Sequence, residues 1–196
     1  MIKGMEKTSI NRRNIALSSV LAALISVTAG LTIPIGPVPI TLQVFFILLI
    51  LSLAGPKYGT ISVLIYILLG AIGIPVFAGY NGGIAILLGP TGGYLFGFSV
   101  AVFVGGIISG KRKKDKQMEI VFLSLGMLVA ISVIYLIGFT WLKFSLGISF
   151  KDAFTVGVLP FIPIDILKMA FVFPIALRLR GELKTLPIYN EWQIQS

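Results

Sequence analysis

The sequence predicts an all-α integral membrane protein of six transmembrane helices, with a Gly-rich irregular outer loop between the third and the fourth. Three observations carry this. Of 196 residues, 57% are hydrophobic and only 12% charged, where a soluble domain carries about a quarter, and the mean hydropathy is +1.02. The apolar residues come in runs that suit a bilayer core, which takes roughly 20 residues per helix. The charges fall in short clusters between these runs, so the net charge of +9 describes span ends rather than a nucleic-acid-binding face.

The six spans are expected at 14–33, 39–54, 58–74, 93–110, 118–140 and 158–179, forming one membrane domain over 1–196. Before the first, Lys3, Lys7, Arg12 and Arg13 resemble the basic head of a secretory leader, but the apolar run continues to Ile33 and suits a full span. The second and third spans are short, hence little tilted or broken near one end. Even-numbered spans place both termini on one side. That side receives Lys3, Lys7, Arg12, Arg13, Lys57, the run Lys111, Arg112, Lys113, Lys114 and Lys116, and the tail cations Arg178, Arg180 and Lys184. The other side receives only Lys143 and Lys151, so the termini should be cytoplasmic. The run 111–116 serves topology and anionic headgroups, or else docks a cytoplasmic partner.

The chain has no Cys and no His, which excludes thiol catalysis, disulfides and the commonest zinc sites. No cofactor is expected. The glycines form no GxxxxGK[ST] phosphate loop, so the chain cannot hydrolyse ATP by that route. A membrane-embedded enzyme would need a metal cluster, a Ser-His arrangement or a second carboxylate near its acid, and none is evident.

The segment VLPFIPIDILKMAF (158–171) places Asp165 and Lys168 within an apolar span. Each charge at mid-membrane costs about 2.5–3.5 kcal/mol on insertion scales, so two of them need a reason. Spaced i,i+3 they share a helix face and neutralise each other. The hydrogen-bonding capacity left over suits a small polar solute: Asp165 accepts from N–H groups and Lys168 donates to a carbonyl or carboxylate. An internal ion pair that fixes packing, or a proton or ion relay, are the other readings of the same residues. Pro160 and Pro163 just ahead predict a kinked start, which puts the pair in the outer half of the bilayer.

Half of the 22 glycines lie between Gly70 and Gly106. The stretch FAGYNGGIAILLGPTGGY (77–94) is too interrupted for one span and reads as a loop that partly re-enters the protein. Its glycines allow a ligand to approach the backbone closely. Asn81 at its centre both donates and accepts hydrogen bonds, or closes an Asx-type turn. The linker PIGPVPITLQ (34–43) is stiffened by three prolines into an extended cover or short turn. Thr41 and Gln43 at its end are hydrogen-bonding groups that capping or helix contacts explain equally well. Small residues recur every four positions at Ser18, Ala22, Ser26 and Gly30, and at Gly93, Gly97, Ala101 and Gly105. They favour close helix packing within the bundle, or on the first span a docking face for another membrane protein. Phe77, Tyr80, Tyr94, Phe96 and Phe161 flank the polar positions and suit the walls of an apolar pocket, or ordinary core and interface.

Four blocks together resemble the BioY family, the biotin-binding S components of energy-coupling-factor (ECF) vitamin transporters. They are GPVPITLQVFFILL (36–49), GPKYG (55–59), LLGAIGIPVFAGYNGGIAILLGPTGGYLFGF (68–98) and LPFIPIDILKMA (159–170). The resemblance covers nearly the whole chain. It implies a six-helix substrate-specificity subunit in the prokaryotic plasma membrane, with cytoplasmic termini and an outward-facing pocket beneath two loops. Its implied ligand is biotin, and its implied partners are a transmembrane coupling protein and two ABC-type ATPases. Asp165 and Lys168 match the family's acid-x-x-lysine pair and Asn81 the polar position of the Gly-rich loop. These three would hold the ureido ring. Thr41, Gln43, Tyr94 and the backbone near Gly82 and Gly83 are further expected pocket members. The family's AxxxA-like docking motif has Ser18-xxx-Ala22 and Ser19-xxx-Ala23 as nearest equivalents. An S component for another vitamin, or a stand-alone proton-coupled carrier using Asp165, are the competing functions.

Overall fold

In the computed structural model the backbone is described for residues 2–110 and 115–183, and side chains for 15–109 and 115–182. Several of the cations used to orient the chain (Lys3, Lys7, Arg12, Arg13, residues 111–114 and Lys184) therefore lie outside the described side chains. The elements run α1 (Ile2–Thr28), β1 (Thr32–Ile33), β2 (Ile40–Thr41), α2 (Gln43–Ala71), α3 (Ile84–Leu88), α4 (Gly92–Gly110), α5 (Lys116–Leu146), α6 (Phe150–Gly157) and α7 (Ile162–Leu183).

α1 stops five residues short of the predicted end of the first span. The Thr28 hydroxyl turns back to the carbonyls of Leu24 and Ile25, and Pro34 disfavours helix at the residue before it. Thr32 and Ile33 instead pair antiparallel with Thr41 and Ile40. The proline-rich linker is thus a short strap with a two-residue ladder at its base, turning at Gly36 with φ 138°.

α2 is two helical arms that meet at a break. At Gly55 the backbone takes φ 67° and ψ −172°, and Pro56 follows, a proline whose missing N–H is harmless at the first position of a new helix. Gln43 hydrogen-bonds Tyr66 across the element, and Ile50 lies against Gly59. In a straight helix 23 residues would separate the first pair by about 34 Å. The two arms, 43–54 and 56–71, therefore fold back on each other as a helical hairpin, along the division expected between the second and third spans. The first arm rises only about 18 Å, and the strap's β2 precedes it.

Residues 72–91 then form a compact irregular segment. Gly73, Gly79 and Gly83 all have positive φ, as does Tyr80, and Phe77 and Asn81 form an isolated antiparallel bridge. The Gly83 N–H donates to the Gly70 carbonyl at 2.7 Å. A Cβ on Gly70 would overlap the ring of Phe77, which is fully buried edge-on to Tyr66.

The Gly93, Gly97, Ala101, Gly105 stripe packs α4 on α5: Gly93 against Trp141, Gly97 against Ile134 and Gly105 against Gly126. α5 is capped by the Asp115 carboxylate, which accepts from the Gln117 N–H, and ends at left-handed Gly147. It runs six residues past the predicted span because no breaker precedes Gly147. α6 was not anticipated. Ser149 caps it by accepting from the Asp152 N–H and donates to the Asp152 carboxylate, a Ser-x-x-acid signature visible in the sequence. Its Phe150 and Phe154 pack on Phe139. α7 starts four residues later than expected, after a turn over 158–161, with Pro163 in its first turn where the missing N–H costs nothing.

The exterior is apolar. Val20, Val27, Val121, Leu136, Leu167, Phe171 and Leu179 are all exposed, while Asp165, Lys168, Gln43, Glu119 and Arg180 are buried. This inside-out distribution fits lipid as solvent. Among the described residues α4 and α5 are long and apolar enough to cross a bilayer, as is α2 if its two arms are counted end to end, and α6 with α7, bent by 44°, make a further one if taken as one span. The chain is a multi-pass membrane protein.

A Cβ on Gly105 would lie 2.7 Å from the Gly126 carbonyl oxygen, and backbone cannot yield as a side chain does. Gly105→Val is expected to destabilise by about 1–3 kcal/mol, and lipid-facing Val100→Ala by under about 0.5 kcal/mol. Thermal unfolding in detergent micelles reads the difference; equal melting of the two variants would show that α4 and α5 do not pack through this stripe.

Candidate functional site

Asp165 sits one turn into α7, 2% exposed. Its Oδ1 accepts from Lys168 Nζ at 2.7 Å and its Oδ2 from the Tyr135 hydroxyl at 2.7 Å. Both oxygens are thus held, one by its own helix and one by α5. Lys168 keeps two further donor positions. The i,i+3 pairing read from the sequence is present, and buried as a neutral unit.

The pair lines one side of a cavity whose other polar residues are Thr41, Gln43, Thr91, Tyr94 and Tyr135. Its walls are apolar and aromatic, with Phe77, Phe98, Phe161 and Ile134 among them. Pro39 and Val38 of the strap and Ala78 of the glycine-rich segment also line it, so both irregular connections contribute. Gln43 ties the roof together: the Thr41 hydroxyl donates to its Oε1 at 3.0 Å, and its Nε2 donates to the Tyr66 hydroxyl. The Tyr94 hydroxyl donates to the Gly157 carbonyl at 2.8 Å, anchoring α4 to the end of α6 beside the cavity. Among the described residues no His, Cys, Asp and Glu cluster could hold a metal ion.

The structure thus gathers Thr41, Gln43, Tyr94, Asp165 and Lys168 around one space. It places Asn81, Gly82 and Gly83 differently. Asn81 is exposed, and its Nδ2 donates to the Ala78 carbonyl at 2.7 Å, the local turn that was the alternative for this residue. Gly82 is packed so closely that a Cβ would lie 2.5 Å from the Ile74 carbonyl oxygen, and Gly83 holds φ +99°. Both glycines have backbone reasons to be glycine.

On α1, Ser18 and Ala22 point inward. Both are fully buried, and the Ser18 hydroxyl donates to the Tyr58 carbonyl at 3.2 Å. They pack the bundle and present no face to a partner; Ser19 and Ala23 alone of the four are on the exterior. Of the aromatics expected as pocket walls, Phe77, Tyr94 and Phe161 line the cavity. Phe96 lies on the outer surface against Trp141, and exposed Tyr80 covers Gly30.

Three residues were missed, among them Thr91, a polar member of the cavity lining. Tyr135 lies in a helix apolar on all sides, where a single tyrosine resembles ordinary core; the signal was that a buried Asp paired once still needs a second donor. Arg180 was counted among the tail cations, yet it is 2% exposed.

These features define a class: a multi-pass membrane protein enclosing a neutralised acid–base pair in an aromatic-walled cavity. The particular family follows from comparison. A family model described as BioY matches residues 5–185, and the chain belongs to that family. It is 48% identical over 169 residues to a probable biotin transporter BioY from Pyrococcus horikoshii, covering 86% of this chain and 97% of that protein. It is 43% identical over 168 residues to the biotin transporter BioY of Thermotoga maritima, covering 86% and 96%. Among solved structures, the S-component for biotin from an ECF-type ABC transporter superposes with a TM-score of 0.76 at 34% identity, over 87% of this chain and 92% of that one.

Tyr135→Phe removes one of the two donors on a buried carboxylate. It is expected to lower stability by about 1.5–3 kcal/mol with helix content unchanged, measured by thermal melting and circular dichroism in micelles. Unaltered melting would show that Oδ2 does not depend on Tyr135.

Proposed function

We propose that this chain is the biotin-binding subunit of an ECF-type vitamin uptake system. It has no chemical step of its own and works with a transmembrane coupling protein and two ATP-binding-cassette ATPases. The observation that carries the reading is the Asp165–Lys168 pair, buried and internally neutralised at the wall of a cavity with aromatic sides, in a chain of the BioY family. A ureido ring offers two N–H donors and one carbonyl. Asp165 accepts the former and the free protons of Lys168 reach the latter, without adding net charge to the cavity. The aromatic walls suit the ring system's apolar faces.

Thr41, Gln43 and Tyr94 are proposed to complete the lining. Asn81 joins by turning its amide from Ala78 towards the ligand, with the backbone near Gly82 and Gly83 beneath it. Phe77 and Ala78, of the turn that carries Asn81, line the cavity, which supports this reading. The membrane arrangement supported best is six spans in the prokaryotic plasma membrane: α1, the two arms of α2, α4, α5 and α7. Both termini are cytoplasmic and the glycine-rich segment lies outside. The hairpin at Gly55 supports dividing α2 in two, and the cation distribution supports the orientation. Ser19 and Ala23 form the small-residue face of α1 available to a coupling protein.

Equilibrium binding of labelled biotin to purified protein, against thiamine, riboflavin and desthiobiotin, tests the ligand. Asp165→Asn and Lys168→Met are each expected to weaken binding by about 2–5 kcal/mol, at least roughly 30-fold in Kd, in variants that still fold. Wild-type affinity in both would exclude the site, and stronger binding of another vitamin would reassign the ligand. Uptake by reconstituted vesicles should require the coupling proteins and ATP. Uptake driven by a proton gradient without them would favour a stand-alone carrier.

A further inference from the structure

Arg180 is the most deeply buried cation in the described part of the chain, and the ligand cavity does not use it. Its Nε donates to the Ser52 carbonyl at 2.7 Å and its Nη2 to the Ser109 carbonyl at 2.8 Å. Its Nη1 lies 3.7 Å from the Glu119 carboxylate. Both carbonyls belong to ends of helices. The amide that would close a helical bond onto Ser52 is that of Pro56, which carries no proton, and Ser109 lies in the last turn of α4, which ends at Gly110. Glu119 lies in the first turn of α5. One guanidinium therefore caps two helix C-termini, where the dipole favours a cation, and pairs with the first turn of a third helix. The Ser109 hydroxyl, donating to the Leu51 carbonyl at 3.4 Å, reinforces the junction.

Arg180 shares a buried face of α7 with Asp165, Lys168, Val172 and Ala176. Hydrogen bonds tie α7 to the rest of the bundle at two levels: Tyr135 to Asp165 near one end, and the Arg180 junction about 18 Å away from Lys168. Pro174 lies between, and leaves the Ala170 carbonyl without its helical donor. We propose that Arg180 is a positioning residue, which sets the height and rotation of α7 and so holds Asp165 and Lys168 in place against Tyr135. A lysine cannot replace it, because one ammonium on a flexible stem does not span two carbonyls and a carboxylate as a rigid planar fork does.

The binding arm of the test rests on the biotin reading, whereas the exchange arm does not. Arg180→Lys, Arg180→Met and Glu119→Gln are compared with Arg178→Met, whose side chain is exposed. The readouts are amide hydrogen exchange over residues 162–172 and labelled-biotin affinity. Expected are faster exchange in that distant stretch and biotin binding weakened at least about tenfold in Arg180→Lys. The effect is larger in Arg180→Met and smaller in Glu119→Gln, and Arg178→Met is unchanged. Exchange confined to 176–183 with unchanged affinity would make Arg180 a local cap and overturn the proposal. If Arg180→Met does not fold, Arg180→Lys decides alone. If the wild type fails to bind biotin, the functional reading falls while exchange over 162–172 still decides the role of Arg180.

Discussion

Inside a bilayer a polar group cannot fall back on water, so each one must be answered by another part of the protein. The buried carboxylate of Asp165 makes the largest such demand, and much of the architecture meets it. Lys168 answers from the same helix, which fixes the charge balance, and Tyr135 answers from α5, which fixes the helix pair. The apolar walls follow from the same constraint, since a pair already neutralised needs no further counterion. What remains exposed to the cavity is a short supply of donors and acceptors at known positions. Such a site is preorganised: the cost of gathering its groups has been met in folding rather than at binding.

The same accounting explains the roof. Strap and glycine-rich segment are irregular backbone at the edge of a membrane protein, tolerable only where their amides and carbonyls find partners in the protein or face water. β1 pairs with β2, Gly79 donates to Ala29 and Gly83 to Gly70. Gln43 then links the strap to the second arm of α2 through Tyr66. The cover is irregular in shape and specific in its bonds.

Much of this was legible in the sequence because lipid imposes simple patterns. Asp165 and Lys168 stood out as charges in an apolar run, and their spacing fixed their pairing. The gap expected between the second and third spans, after residue 54, coincides with the break of α2 at Gly55. Features that depend on tertiary partners were not legible. Tyr135 has no periodic signal, Arg180 resembles any cation at a span end, and the direction in which Ser18 and Ala22 face cannot be told from a four-residue repeat shared by inward and outward stripes. Asn81 illustrates the other limit: its type suits both a ligand contact and a turn, and nothing in its sequence neighbours foretells the bond to the Ala78 carbonyl that it makes here.

The neutrality of the Asp165–Lys168 pair has an electrical consequence. A lone charge buried in a membrane feels the transmembrane voltage, worth about 2.3 kcal/mol per 100 mV for a full crossing. Two opposite charges 2.7 Å apart experience nearly the same potential, and their energies in that field cancel. An uncharged group held between them adds nothing to the balance. The pair itself therefore adds almost nothing to the voltage dependence of binding, and what remains is set by the charge a ligand carries elsewhere.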